Sequence, residues 1–131
     1  MIKDYKQKQM LLESIRGKLA PEAYERLHHL ITIDDNWDGQ GAEQIRLESF
    51  TDFTNFISLM DIPLKRKFGL FFGYEGEMIL EGFEDDEYVI YFQKNEIEFI
   101  TTKSDFSMNP KETEKLQEIA IKFNKGELKD E

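Results

Sequence analysis

Residues 68–100 read FGLFFGYEGEMILEGFEDDEYVIYFQKNEIEFI, and this stretch decides the fold. It contains four short runs in which apolar and polar residues alternate: FGLFFGY, EMILEGF, EYVIYFQ and EIEFI. The runs are separated by Glu-Gly, Glu-Asp-Asp and Lys-Asn, which are turn-forming or strongly polar sequences. A period of two with short polar connections is typical of antiparallel strands joined by hairpins. We therefore predict a four-stranded antiparallel meander over residues 68–101.

Helical patterns precede the predicted sheet. Residues 1–62 carry apolar residues three and four positions apart, which predicts a mainly helical N-terminal half. The first helix is predicted to begin with Asp4 as its N-cap and to end near Gly17. Pro21 opens a second helix, and Ser49 opens a third that Pro63 ends.

A further helix follows the sheet over residues 109–125. Asn109 is the predicted N-cap, Pro110 the first helical residue and Glu112 the second member of a capping box. The apolar residues that follow recur at helical spacing: Leu116, Ile119, Ala120 and Phe123. The predicted fold is therefore one α+β domain over residues 1–131, with the C-terminal helix packed on the sheet.

Composition restricts the class of protein. The chain has 131 residues, of which 40% are hydrophobic and 13% aromatic, enough for one domain with its own core. It has no cysteine, which excludes disulfides, thiolate metal sites and a cysteine nucleophile. No apolar run approaches the ~20 residues that cross a bilayer, and no secretory leader is recognisable. We expect a cytoplasmic protein of bacterial or phage origin, with no membrane contact and no cofactor.

The two faces of the predicted sheet differ in character. One is uniformly apolar and is the predicted core face: Phe68, Leu70, Phe72, Met78, Leu80, Tyr88, Ile90, Phe92, Ile97 and Phe99. The other mixes apolar and acidic side chains: Phe71, Ile79, Phe83, Val89 and Tyr91 with Glu77, Glu81, Glu96 and Glu98. Two interpretations are open for the mixed face. Either the C-terminal helix covers part of it, or it is a binding surface.

Negative charge is concentrated in the same region. Residues 75–98 hold nine acidic residues against one base, Lys94, and supply eight of the ten net negative charges. Such a surface repels nucleic acid and anionic membranes and attracts basic proteins. The alternative explanation for the concentrated negative charge is that acids on turns and edge strands keep a sheet soluble. The predicted partner-binding residues are Phe71, Glu77, Glu81, Tyr91, Glu96 and Glu98.

A second informative stretch is DDNWDGQGA at residues 34–42, which holds the only tryptophan. Glycines at 39 and 41 allow positive φ, and Asn or Asp side chains can bond nearby main-chain amides to close a tight loop. In this interpretation Asn36, Trp37, Asp38, Gly39 and Gly41 form a structural loop. The tryptophan ring is then expected to be a buried anchor where two helices meet.

The same loop also permits a metal hypothesis. Asp34, Asn36 and Asp38 fit the first half of a calcium-loop pattern, since hard cations prefer several oxygen ligands. The twelfth position, which should carry a bidentate glutamate, is Ile45, and the ninth is Ala42. A calcium or small-ligand binding module is therefore the alternative function. A divalent-metal enzyme using the same carboxylates is a third.

Residues 36–42, NWDGQGA, resemble the N-W-D-G-x-G-A signature of small, poorly characterised bacterial proteins. In those proteins a helix and then antiparallel strands follow the signature, and this chain has the same order. The similarity covers roughly residues 27–100, although only the short motif is specific. The resemblance implies no particular activity, but it favours a structural loop over a ladder of oxygen ligands.

Catalytic motifs are absent from the sequence. It has no G-x-S-x-G elbow, no phosphate loop, no G-x-G-x-x-G and no H-E-x-x-H, so an enzyme is not expected. A small acidic protein with a concentrated negative and aromatic surface suits a protein-interaction role. The predicted function is an antitoxin, an immunity protein or a phage-type inhibitor that covers a basic toxin or nucleic-acid-processing protein.

Overall fold

The helices lie on one face of a single antiparallel sheet. A computed structural model describes residues 1–64, 67–82, 87–102 and 105–127. The elements are α1 (Tyr5–Ser14), a 3-10 turn (Arg16–Lys18), α2 (Pro21–Leu30), α3 (Leu47–Ser58), β1 (Phe68–Phe72), β2 (Met78–Gly82), β3 (Tyr88–Gln93), β4 (Glu96–Thr101), β5 (Asp105–Met108) and α4 (Thr113–Asn124). Within these ranges, every helix is too short or too polar to cross a bilayer.

The predicted meander is confirmed, but it has five strands instead of four. The strand order is β1-β2-β3-β4-β5, and each neighbouring pair is antiparallel. The additional strand, β5, extends the sheet beyond the predicted limit at residue 101. It has only four residues, of which Phe106 and Met108 are apolar, so its alternation is too short to stand out in the sequence. Phe106 stacks on Phe99 of β4 with a centroid distance of 4.8 Å.

The predicted core face is also confirmed. In the strand register, Leu70, Leu80, Ile90 and Phe99 lie in one row across four strands. The buried members of this face are Leu70, Met78, Leu80, Tyr88, Ile90, Phe92, Ile97 and Phe99. Phe68 and Phe72, on edge strand β1, are only partly buried but pack against the core.

Both α3 and α4 pack on this core face. Phe56 of α3 contacts Phe92 at 5.7 Å and Phe99 at 6.0 Å between ring centroids. Phe123 of α4 contacts Phe56 at 5.7 Å and meets Tyr88 of β3 edge-on at 4.7 Å. The C-terminal helix therefore packs on the sheet as predicted. It lies on the same side as α3, which excludes it as a cover for the mixed face.

Asp4 is the N-cap of α1 as predicted, but the starts of α3 and α4 differ from the predicted ones. Asp4 precedes α1 with φ 55°, and its side chain makes no capping hydrogen bond. The third helix begins two residues before Ser49. The main-chain N–H of Asn109 donates to Glu112 Oε2 at 3.2 Å, which is one of the two contacts expected of the capping box. These residues, however, form a turn that precedes the helix. Because that turn comes first, α4 begins at Thr113 and Pro110 lies outside it.

One half-buried carboxyl on α3 makes stability dependent on pH. Burial, with a smaller contribution from the neighbouring Glu48, raises the pKa of Asp52 from 3.8 to about 6. The folded state therefore binds this proton more tightly than the unfolded state does. Stability falls as pH rises between these two values, and the loss is complete above the higher one.

We therefore expect Asp52→Asn to raise the free energy of unfolding by about 1 to 2 kcal/mol near pH 8, allowing for solvent screening. Near pH 3.5 the substitution should change stability little, because the carboxyl is mostly protonated in both states. Urea denaturation at the two pH values measures this difference. An equal gain at both would mean that the amide acts through packing and not through charge.

Candidate functional site

The side of the sheet opposite the helices is here called the outer face, and no described helix or strand packs over it. All of its described side chains remain at least partly exposed. In the strand register it consists of two central rows and one end row. The first central row is Phe71, Ile79, Tyr91, Glu98 and Ser107; the second is Gly69, Glu81, Val89, Ile100 and Asp105; the end row contains Glu77, Gln93 and Glu96.

Apolar and acidic side chains are direct cross-strand neighbours on this face. Ile79 lies between Phe71 and Tyr91, and Glu98 pairs with Tyr91 on the far side. In the next row Val89 pairs with Glu81. Cross-strand neighbours lie roughly 5 Å apart, so Tyr91 and Val89 each have a carboxylate beside them. A partner that covered the apolar groups would therefore also meet the carboxylates.

Glu77 and Glu96 lie at one end of the outer face, beside the β1–β2 turn. The register places Gln93 opposite Glu96, and Glu77 comes directly before β2 at the same level. Burial raises the pKa of Glu77, and the neighbouring Glu75 carboxylate adds to the effect. Clustered carboxylates destabilise one another, so a cation placed here would be stabilised.

Phe71 occupies the β1 edge of the outer face and is 39% exposed. The guanidinium of Arg26 lies over its ring at 5.6 Å from the centroid. The same side chain donates through Nε to the carbonyl oxygen of Leu70 at 3.1 Å, on the free edge of β1. Arg26 therefore both blocks strand pairing at this edge and shows that the ring accepts a cation.

The structure thus brings the predicted contact residues onto one face. Phe71, Glu81, Tyr91 and Glu98 lie in the two central rows, and the other two predicted glutamates lie at one end. Sequence reasoning missed Ile100, although strict alternation from Phe99 would have placed it there. Phe83 and the three acids at residues 84–86 lie outside the described residues.

The DDNWDGQGA loop is closed by its own polar side chains. Asp38 Oδ1 accepts the main-chain N–H groups of Gln40 at 2.8 Å and Ala42 at 3.0 Å. Asn36 Oδ1 accepts the N–H of Gly41 at 2.7 Å. The two main-chain bonds hold the pKa of Asp38 below its usual value. These contacts are those of the predicted structural loop.

The same contacts bear on the metal hypothesis. Asp34 Oδ1 accepts the N–H of Asp35 at 2.6 Å, and Asp35 Oδ1 accepts the N–H of Gln44 at 3.0 Å. Together with the bonds of Asn36 and Asp38, these direct the candidate oxygens toward main-chain donors. Across the described ranges, no group of three or more His, Cys, Asp or Glu side chains is placed to hold a metal. A cation would have to replace several hydrogen bonds, so the geometry supports the structural interpretation.

Trp37 is not the buried anchor that the sequence predicts, because 44% of the residue is exposed. Its indole Nε1 donates to the carbonyl oxygen of Glu43 at 2.8 Å. The ring meets Phe72 of β1 edge-on, with centroids 5.1 Å apart. The loop therefore rests on the end of the sheet instead of a helix junction, and part of the ring stays open to solvent.

The loop is joined to the β1–β2 turn by main-chain bonds. The N–H of Glu43 donates to the carbonyl oxygen of Tyr74 at 2.7 Å, and that of Arg46 donates to Gly76 at 2.8 Å. The Arg46 guanidinium also donates to the carbonyl oxygen of Glu75 at 2.7 Å. These three bonds fix Glu43 and Arg46, which follow the Trp37 loop, against the β1–β2 turn.

We expect Trp37→Ala to lower the free energy of unfolding by about 1 to 2 kcal/mol, roughly half the loss typical of a fully buried ring. Urea denaturation followed by circular dichroism measures the change. Trp37→Phe should recover much of the loss, because a phenyl ring keeps the contact with Phe72. A loss above about 3 kcal/mol would show that the tryptophan is a buried anchor after all.

Comparisons with known proteins do not assign this chain to a family. No protein-family model, no curated protein and no solved structure matches it. The resemblance of residues 36–42 to the N-W-D-G-x-G-A signature stays a prediction that rests on the motif alone. Function is therefore inferred from the residues of the chain itself.

Proposed function

We propose that this chain is a cytoplasmic protein-interaction module whose outer face binds a basic protein. Its biological role would be that of an antitoxin, an immunity protein or a phage-type inhibitor. The observation that supports this most strongly is the uncovered row of Phe71, Ile79 and Tyr91, with Glu81 and Glu98 beside it. Such apolar residues without a covering element are typical of an interaction site.

The shape of the face favours a protein partner over a small ligand. Small-molecule sites are concave, with volumes of roughly 300 to 1,000 Å³. Over the central strands, the cavity lined by Glu81, Tyr88 and Ile100 among others has a volume of about 260 Å³. A larger cavity of about 580 Å³, which includes Phe71, lies beside the face, between α2 and the free edge of β1. A broad face with aromatic and aliphatic groups at its centre and charge around them matches the anatomy of a protein interface.

The charge of the face favours a basic partner. Between residues 75 and 98, the described residues include one base, Lys94, and six acids. The acids are Glu75, Glu77, Glu81, Glu87, Glu96 and Glu98. This field repels phosphate backbones and so disfavours nucleic acid as the direct ligand. It would raise the rate of encounter with a cationic protein surface.

The proposal is tested with a partner recovered by affinity capture, identified by mass spectrometry and then purified. We expect Tyr91→Ala to raise the dissociation rate about tenfold or more while changing the association rate little, because central aromatic groups fix residence time. Surface plasmon resonance measures both rates.

Met10→Ala is the matched control for Tyr91→Ala. Met10 is 73% exposed and lies on α1, in the helical layer. This variant should bind as the unaltered protein does. If Tyr91→Ala dissociated no faster while its circular dichroism stayed unchanged, the outer face would not be the contact surface.

A further inference from the structure

Two aromatic side chains stand exposed where the Trp37 loop meets the β1–β2 turn. Trp37 is 44% exposed and Tyr74 is 66% exposed. We call this pair the aromatic corner. Phe71, at the adjoining edge of the outer face, is 39% exposed. Within the described part of the chain, these three are the only large aromatic side chains that are exposed to this degree.

In the aromatic corner the Trp37 ring and the main chain of Tyr74 are held in place, although both rings are open to solvent. The carbonyl of Glu43 accepts the indole N–H of Trp37, and the N–H of Glu43 donates to the carbonyl of Tyr74. One residue therefore connects both aromatics through its main chain. The edge-on contact with Phe72 further restricts the indole. The Trp37 ring, held in this way, loses little freedom on binding, which is a property of interface hot spots.

Acidic residues adjoin both aromatics of the corner along the chain: Asp38 directly follows Trp37, and Glu75 directly follows Tyr74. Asp38 belongs to the loop, Glu43 follows the loop, and Glu75 belongs to the turn. The charges of Glu75, Arg46 and Glu43 all act on the Glu77 carboxyl, the two acids raising its pKa and Arg46 lowering it, which places these groups close to the end of the outer face. The nearby base, Arg46, is already engaged by the Glu43 carboxylate at 3.4 Å and the Glu75 carbonyl at 2.7 Å.

We propose that the aromatic corner binds an arginine side chain of the basic partner. The inference rests on the proposed function, because it adds a second contact for the same partner. A guanidinium can stack on Trp37 or Tyr74 and pair with a neighbouring carboxylate. Lysine fits less well, because its ammonium is more strongly hydrated and cannot stack as a plane.

The test uses two defined probes, amidated hexa-arginine and amidated hexa-lysine, titrated calorimetrically into the whole chain at low salt. Both should bind, and arginine should bind about two- to fivefold more tightly, as expected for an exposed cation–π contact. Trp37→Leu should remove this preference while leaving hexa-lysine affinity nearly unchanged. Tyr74→Ala should reduce the preference, and Met10→Ala should preserve it.

Further readouts separate contact from folding. Trp37 is the only tryptophan, so hexa-arginine should also change its fluorescence emission in the unaltered protein. If Trp37→Leu does not fold, Trp37→Phe replaces it and should retain part of the preference. Absence of binding by both peptides, equal affinities, an arginine preference that survives in Trp37→Leu, or an undiminished preference in Trp37→Phe would each overturn the inference.

Failure of the inference can be told apart from failure of the proposed function. Reversing Glu81 and Glu98 to lysine should weaken both peptides together and leave their affinity ratio unchanged. If the Trp37 variant loses the arginine preference but the outer-face variants bind the partner normally, arginine binding at the aromatic corner is supported and partner binding through the outer face is contradicted. If the Trp37 variant keeps the preference but the outer-face variants bind the partner more weakly, binding through the outer face is supported and arginine binding at the corner is overturned.

Discussion

Replacing Gly76 with alanine is expected to lower the free energy of unfolding by about 2 to 4 kcal/mol. Gly76 has φ +82°, a conformation that side chains other than glycine rarely adopt. A Cβ at this position would lie 2.5 Å from the carbonyl oxygen of Gln44 and 3.1 Å from the amide nitrogen of Arg46. Both are main-chain atoms, so neither can move aside without shifting the Trp37 loop away from the turn.

Gly39→Ala is the matched control, because it carries the same backbone strain without the close approach. Gly39 has φ +76°, and an added Cβ would meet no atom within 4 Å. We expect a loss of about 1 kcal/mol for this variant. Urea denaturation of the two variants isolates the contribution of the close approach. Equal losses would mean that the loop and the turn are not packed as the structure places them.

The sheet could be predicted because its buried residues recur in the sequence with a period of two. Leu80, Ile90 and Phe92 alternate with residues of the opposite face, and a shift by one residue would expose all three. Their placement in the core is therefore determined by the local pattern. Four residues of β5 could not be recognised in this way, because two apolar positions do not establish a period.

The coverage of each face could not be predicted from the strands alone. The alternation shows that the two faces differ in polarity. Which face a helix covers depends on the path of the segment that connects the helix to the sheet. The contacts of Phe123 with Phe56 and Tyr88 place α4 on the core face. This tertiary placement leaves the outer face open, and no local feature of residues 109–125 signals it.

Two side chains show how tertiary contacts override residue type. Trp37 is expected to be buried, but its loop rests on the sheet end, where Phe72 meets the ring edge-on and 44% of the residue stays exposed. Lysine is rarely buried, but Lys8 is 1% exposed, with Nζ 3.4 Å from Gln44 Oε1. The turn-forming role of Asn36 and Asp38 was predictable, because their hydrogen bonds are local.

Charge reversal on the outer face is expected to have the largest effect on binding. Glu81→Lys combined with Glu98→Lys changes net charge by four and places two cations beside Val89 and Tyr91. Association with the basic partner should slow about tenfold or more at low salt, since like charges now meet at the interface. The free energy of unfolding should change by less than about 1 kcal/mol, because both side chains are partly solvated.

A matched control changes net charge equally without touching the outer face. Glu25 of α2 and Glu114 of α4 are exposed residues of the helical layer. Glu25→Lys combined with Glu114→Lys should slow association by no more than about threefold, since only the overall charge is altered. The difference between the two double variants therefore reports the position of the charge.

The most direct test of the proposed function is the association rate of the purified partner with these two double variants across a series of salt concentrations. We predict that the Glu81 and Glu98 variant associates about tenfold more slowly than the control at low salt, and that the two rates converge at high salt. Equal association rates for the two double variants at every salt concentration, with both folded, would contradict binding through the outer face.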